Sequence, residues 1–195
     1  MDRPWLTQYP PGVPAEIDVD ACASLKDLLA SRCTLFADLP AYGSMGAVLS
    51  FRQLDEESRA FAAWLQQVAG LRRGDRVALM LPNLLQYPVA MFGTLRAGLV
   101  VVNVNPLYTA RELRHQLIDS GAAAIVVLQN FAHTLAEVIA TTSVRTVITT
   151  QVGDLLPPLK RLLTNAVVKH VKKLVPPWRL DGAMDFRRVL AKGRG

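Results

Sequence analysis

From residue 70 onward, short apolar runs alternate with longer stretches of helical periodicity. Arg76-Val77-Ala78-Leu79-Met80-Leu81 is opened by Gly74-Asp75 and closed by Pro82-Asn83, which predicts a strand bounded by turns. Leu99–Val104, Ala123–Leu128 and Arg145–Thr149 repeat the pattern. Between the runs come a mostly apolar helical stretch reaching Ala97, and a helix from the capping box Thr109-Ala110-Arg111-Glu112 to Gly121. A third helix passes through Val138 and Ile139, with Asn130 as its expected cap. Pro88 requires the first of these helices to start near it or to kink there, because proline cannot donate to the preceding turn. The strands are continuously apolar rather than alternating, as when helices cover both faces of a sheet. Connections of about 20 residues are long enough for helical crossovers. The pattern predicts an α/β fold: a doubly wound parallel sheet with flanking helices.

The flanks read differently. Residues 1–23 contain four prolines and predict an extended lead-in. A first helix is expected over Leu25–Phe36, with Leu25, Leu28, Leu29 and Phe36 on one face. A second opens at the capping box Ser50-Phe51-Arg52-Gln53, carries Leu54, Phe61, Ala62, Leu65 and Val68, and closes at Gly70. Toward the other end, Leu159, Leu162, Leu163, Ala166, Val167, Val171 and Leu174 recur at helical spacing between Pro157-Pro158 and Pro176-Pro177. The expected organisation is an α/β subdomain over residues 1–154 and a basic amphipathic helical segment over 155–195.

Charge sharpens that division. The chain has 22 Lys and Arg against 16 Asp and Glu, a net charge of +6. Leu155 to Leu180 holds Lys160, Arg161, Lys169, Lys172, Lys173 and Arg179 and no acid, so the entire excess sits there. Such a helix either lies on an anionic membrane surface or docks its apolar stripe on its own protein with the basic face in solvent. Nucleic acid is not an expected partner, since no Arg-rich or aromatic-interleaved motif accompanies the charge. With 51% hydrophobic residues the chain is no disordered polyelectrolyte. Met1-Asp2-Arg3-Pro4-Trp5 leads into Tyr9-Pro10-Pro11-Gly12 without an apolar core of a leader, and the expectation is a cytoplasmic setting, peripheral to the inner face of the cell membrane if the basic helix touches lipid. Cys22 and Cys33 have no metal-ligand spacing.

Reactive groups are sparse. His115, His133 and His170 are scattered, and no H-x-E, H-E-x-x-H or C-x-x-C spacing occurs. G-x-S-x-G, G-x-G-x-x-G and G-x-x-x-x-G-K-[ST] are likewise missing, so no nucleophile elbow or phosphate-cradling loop can be nominated. No catalytic residue and no metal ligand is assigned. Asp55-Glu56-Glu57 near a helix start suit the macrodipole there. Asn83, Asn103 and Asn105 follow the first two strands, where ligands of open parallel sheets bind, although capping helices and fixing turns is the simpler account of them.

Those strand ends also carry a resemblance. Gly74-Asp75-Arg76-Val77-Ala78-Leu79-Met80-Leu81-Pro82-Asn83, Phe92-Gly93-Thr94-Leu95-Arg96-Ala97-Gly98 and Val102-Asn103-Val104-Asn105-Pro106-Leu107-Tyr108-Thr109 closely resemble the N-terminal region of adenylate-forming acyl-CoA synthetases, most of all bacterial long-chain fatty-acid–CoA ligases. The similarity runs from about Trp5 to Phe186-Arg187. It implies ATP-dependent conversion of a long-chain fatty acid to an acyl-adenylate, then transfer to coenzyme A, with magnesium balancing phosphate charge. Gly74, Asp75, Pro82, Asn83, Gly98, Asn103, Asn105 and Pro106 map as scaffold positions. The family's Ser/Thr/Gly-rich phosphate loop and its catalytic lysine map onto no position here. The expectation is therefore a truncated ligase, inactive alone and binding none of these cofactors productively. The alternative is a stand-alone module of the same fold that binds lipid or a membrane surface.

Overall fold

The computed structural model describes residues 2–195. Five strands form one parallel sheet: β3 (Arg76–Met80), β4 (Val100–Asn103), β5 (Ala124–Leu128), β6 (Thr146–Thr150) and β7 (Met184–Asp185), in the spatial order β4-β3-β5-β6-β7. The doubly wound parallel sheet read from the pattern is thus present, with one strand more than the four expected. Two residues make β7 too short to show any periodicity.

Each buried strand divides its apolar side chains between two cores, as a pleated backbone must. Val77, Leu79, Ala124, Val126 and Ile148 face a layer built from α2 (Phe51–Gln67), α3 (Gln86–Arg96) and α7 (Phe186–Gly193). Ala78, Met80, Ile125, Val127 and Val147 face the opposite layer, with α4 (Ala110–Ser120) and α5 (Ala132–Val138). Both predicted capping boxes are formed: the Ser50 hydroxyl accepts from Gln53 N, Thr109 from Glu112 N, and each partner side chain returns to the cap's backbone. Those bonds place the first turns of α2 and α4.

Several expectations need correction. α1 (Leu25–Leu35) buries Leu29 and Cys33, whereas Leu25 is exposed and Phe36 lies beyond the helix. Val68 of the α2 stripe is also exposed. Pro88 meets the first of its two alternatives: α3 starts at Gln86, so the proline falls in the first turn, where no intrahelical donor is needed. The lead-in contains a single 3-10 turn, Pro4–Gln8. A hairpin not anticipated joins β1 (Pro40–Ser44) to β2 (Ala47–Ser50), with Met45 and Gly46 at φ 51° and 70°. Two consecutive left-handed residues give the tight loop whose twist suits paired strands.

The basic segment differs most. α6 (Pro158–Ala166) continues through one wide turn, Val167–Val171, and helix ends there, with Lys173 at φ 50° and Leu174 beyond it. Its polar side faces the body: Asn165 accepts from Gly153 N through Oδ1 and donates to Asp154 through Nδ2. Its leucines face solvent, Leu159, Leu162 and Leu163 being 71%, 67% and 57% exposed. The stripe therefore does not dock on the described residues.

Candidate functional site at the carboxyl edge of the sheet

All five strands are parallel, so their carboxyl ends share one edge. α3, leaving β3, covers one face and α4, leaving β4, covers the other. The chain thus reverses its winding between β3 and β5, and open α/β sheets bind ligands at such a reversal.

The eight scaffold residues divide between the two edges. Gly74, Asp75 and Gly98 lie at the amino edge, away from the reversal. Gly74 and Gly98 adopt φ 86° and 75°, and Gly74 N donates to Gly98 O at 3.0 Å, locking the turn before β3 to the turn before β4. Asp75 accepts from Arg72 N and pairs with Arg145 at 3.0 Å. Pro82, Asn83, Asn103, Asn105 and Pro106 lie at the carboxyl edge. Asn105 Oδ1 accepts from Leu107 N at 3.0 Å, closing an Asx turn, and Asn103 Oδ1 accepts from the Tyr87 hydroxyl at 2.8 Å. Asn83 is exposed and lines a cavity of about 190 Å³ with Tyr42, Ser44 and Tyr87. Burial, reinforced by neighbouring Tyr87, raises the Tyr42 pKa, so its phenol remains a hydrogen-bond donor at neutral pH. Asn130 does not cap α5. Its Nδ2 donates to Leu174 O at 2.9 Å, while Gln129–Phe131 forms a 3-10 turn.

A buried polar chain beside these residues was not apparent from the sequence. Gln86, only 1% exposed on α3, donates to Thr150 Oγ1 at 3.2 Å and Gln151 O at 2.7 Å. Thr150 donates onward to Asp154 Oδ2 at 2.8 Å, which also accepts from Gln151 N at 2.7 Å. The chain ties the loop after β3 to the end of β6, two strands away. Its one sequence signal is the polar triplet Thr149-Thr150-Gln151 closing an apolar strand.

Burial raises the Asp154 pKa above its ordinary 3.8, with the bonds from Gln151 and Thr150 opposing that shift and Asp185 adding to it. A carboxyl whose pKa is higher folded than unfolded contributes stability at low pH, and that contribution falls as pH rises from the ordinary value through the folded one. Asp154→Asn should therefore gain on the wild type as pH rises across that window. A stability difference that stays flat from pH 4 to 8 in urea titrations would contradict this. Asp154→Leu, which leaves Gln151 N and the Thr150 hydroxyl without an acceptor, should lose about 2 kcal/mol at neutral pH.

Away from this edge, α1 buries the Cys33 thiol. Burial raises the Cys33 pKa, with Asp55 adding to the shift, so its thiol stays protonated at neutral pH. Among the described residues no group of three His, Cys, Asp or Glu could hold a metal ion. The Asn83 cavity is smaller than the roughly 300 Å³ at which small-molecule sites begin, and neither Lys nor Arg lines it to meet phosphate. The six cations lie apart from the cavity: Lys160 donates to Met45 O in the hairpin loop, Arg179 pairs with Asp181, and Arg161, Lys169, Lys172 and Lys173 have no hydrogen bond from their side chains among the described residues.

Comparison with known proteins fits this geometry. The model of the AMP-binding enzyme family matches residues 29–183. A long-chain-fatty-acid–CoA ligase of Yersinia pestis is 59% identical over 194 residues, all of this chain and 34% of that protein. A Bacillus subtilis protein of the same name is 35% identical over 161 residues, 83% of this chain and 28% of its own. Among solved structures, a long-chain-fatty-acid-CoA ligase from Archaeoglobus fulgidus matches with TM-score 0.63 and 25% identity, covering 73% of this chain and 30% of that one. A carboxylic acid reductase didomain from Segniliparus rugosus, bound to AMP, shares the fold at TM-score 0.68 and 16% identity, covering 90% and 27%. The chain spans about a third of the length of the curated relatives it matches. With the sheet, its winding reversal and its paired glycine turns in place, these 195 residues belong to the AMP-binding enzyme family.

Proposed function

We propose that these residues form the N-terminal α/β scaffold of a long-chain fatty-acid–CoA ligase, which uses ATP to convert a fatty acid to an acyl-adenylate and then transfers the acyl group to coenzyme A. The observation that carries this reading is sequence identity sustained along the whole chain with ligases of that name. The work of this part is positional. Gln86, Thr150 and Asp154 fix the loops at the carboxyl edge, and the Gly74–Gly98 turn pair fixes the opposite edge. Asn83 and the Tyr87–Asn103 pair present polar groups where ligands of such sheets bind. Nucleotide, magnesium and coenzyme A would be held by groups outside this set.

Two assays test the reading. The 195-residue chain alone should give no palmitate-dependent pyrophosphate release from ATP and magnesium. Grafted in place of the matching 194 residues of the Yersinia pestis relative, it should support release within about tenfold of that parent. A folded chimera without turnover would overturn the scaffold assignment, and turnover by the chain alone would overturn the division of labour.

A further inference from the structure

The amino edge of the sheet carries an open cavity that the scaffold reading leaves unused. It holds about 440 Å³ between the start of α1, the end of α2 with its following loop, and the end of α3. Lys26, Arg73 and Arg96 line it together with Gln66, Leu71 and Leu95, and no acid does. Its volume falls within the range of small-molecule sites, unlike that of the Asn83 cavity.

Bonds already made fix its walls. Gly74 N on Gly98 O holds the two turns together, and Gln66 Nε2 donates to Ala97 O at 3.2 Å. Gly98 leaves room for the Arg73 stem, whose Cγ would sit 3.5 Å from a Cβ there. Helix ends present carbonyls that repel anions, but here the last ones are occupied. Leu65 O accepts from Leu71 N, Thr94 O from Leu99 N, and Leu95 O from Gly98 N.

The cations are not all spent in the same way. Arg96, with its side chain only 9% exposed, pairs with Asp55, which offsets its charge and leaves Nε without a hydrogen-bond partner. Lys26 and Arg73 are exposed and make no ion pair or side-chain hydrogen bond among the described residues. Asp27 is taken by the Ser24 hydroxyl, and Asp75 by Arg72 N and Arg145. Two uncompensated charges therefore stand beside an apolar wall. A phosphate monoester matches that set, because it carries nearly two negative charges at neutral pH and brings an organic body for the leucines. A carboxylate would leave one cation unmatched.

We propose that this cavity binds a phosphate monoester, with its phosphate between Lys26 and Arg73 and its uncharged body against Leu71, Leu95 and Ala97. The proposal goes beyond the scaffold assignment, and its test needs no catalysis.

The test is calorimetric titration of the 195-residue chain with phenyl phosphate, inorganic phosphate and benzoate. Phenyl phosphate should saturate one site and bind more tightly than either control, since inorganic phosphate lacks the apolar body and benzoate half the charge. Lys26→Gln and Arg73→Gln should each weaken it about tenfold, the scale of one charge-assisted hydrogen bond, at unchanged melting temperature. Lys172→Gln removes the same charge outside the cavity and should leave binding as it is. Phenyl phosphate that never saturates would overturn the proposal. So would an equal loss in Lys172→Gln, which would mark attraction to the overall +6 alone. Benzoate bound as tightly as phenyl phosphate would also overturn it, assigning the cavity to carboxylates.

Discussion

Phe61→Ala is expected to lower the free energy of unfolding by about 4 kcal/mol, the upper range for deleting a buried aromatic side chain. Phe61 is 0% exposed on α2, and its ring centroid lies 5.4 Å from that of Phe186 on α7. On another side its ring meets α3, where Gly93 has no side chain to fill a vacancy. Three helices converge on this ring, so none can close the cavity without leaving its other contacts. Urea unfolding should show a lower midpoint at unchanged slope. Phe186→Ala should be less damaging in the Phe61→Ala background than in the wild type, because the two rings share one contact. Strict additivity would mean that α7 does not pack where the structure has it.

Gly93→Val should cost about 3 kcal/mol by the opposite mechanism, overpacking. A Cβ at Gly93 would lie 2.7 Å from Phe61 Cδ1 and 2.9 Å from the backbone oxygen of Ser58. The phenyl ring can give a little; the carbonyl is held within a helix and cannot. α2 and α3 must therefore separate, which also disturbs the Arg96–Asp55 ion pair linking them. The smaller change Gly93→Ala should be only slightly relieved by Phe61→Ala, which removes Cδ1 but leaves the residue 61 Cβ and the Ser58 oxygen, each 2.9 Å away. Wild-type midpoints for both Gly93 variants would show that the helices have slack.

What the sequence revealed follows the range of each signal. The strands β3, β5 and β6 were legible because burial on both faces leaves a continuous apolar run, and α2 and α4 because their capping boxes are local. The β1–β2 hairpin was hidden by Met45, whose left-handed backbone is uncommon for a residue with a side chain. Gln86 and Asp154 were hidden for a different reason: their connection through Thr150 joins residues 64 positions apart on one side and 4 on the other. Periodicity gave the stripe on α6 but not its direction. Which way a helix faces depends on its anchors, here Asn165 on Gly153 and Lys160 on Met45, and neither pairing leaves a local trace. The motif asparagines and prolines were correctly placed at strand ends, while the division of the eight scaffold residues between two opposite edges required the sheet order.

The seating of α7 on α2 also bears on the protein's birth at the ribosome. Phe61 is synthesised about 125 residues before Phe186, the ring that covers it. At roughly 5–20 residues per second, α2 spends between about 6 and 25 seconds with that side of its core uncovered. During that interval the nascent chain presents an aromatic, aliphatic surface that α7 later covers. Slowed translation between these two codons should increase the demand for chaperones, even though the finished fold would be unchanged.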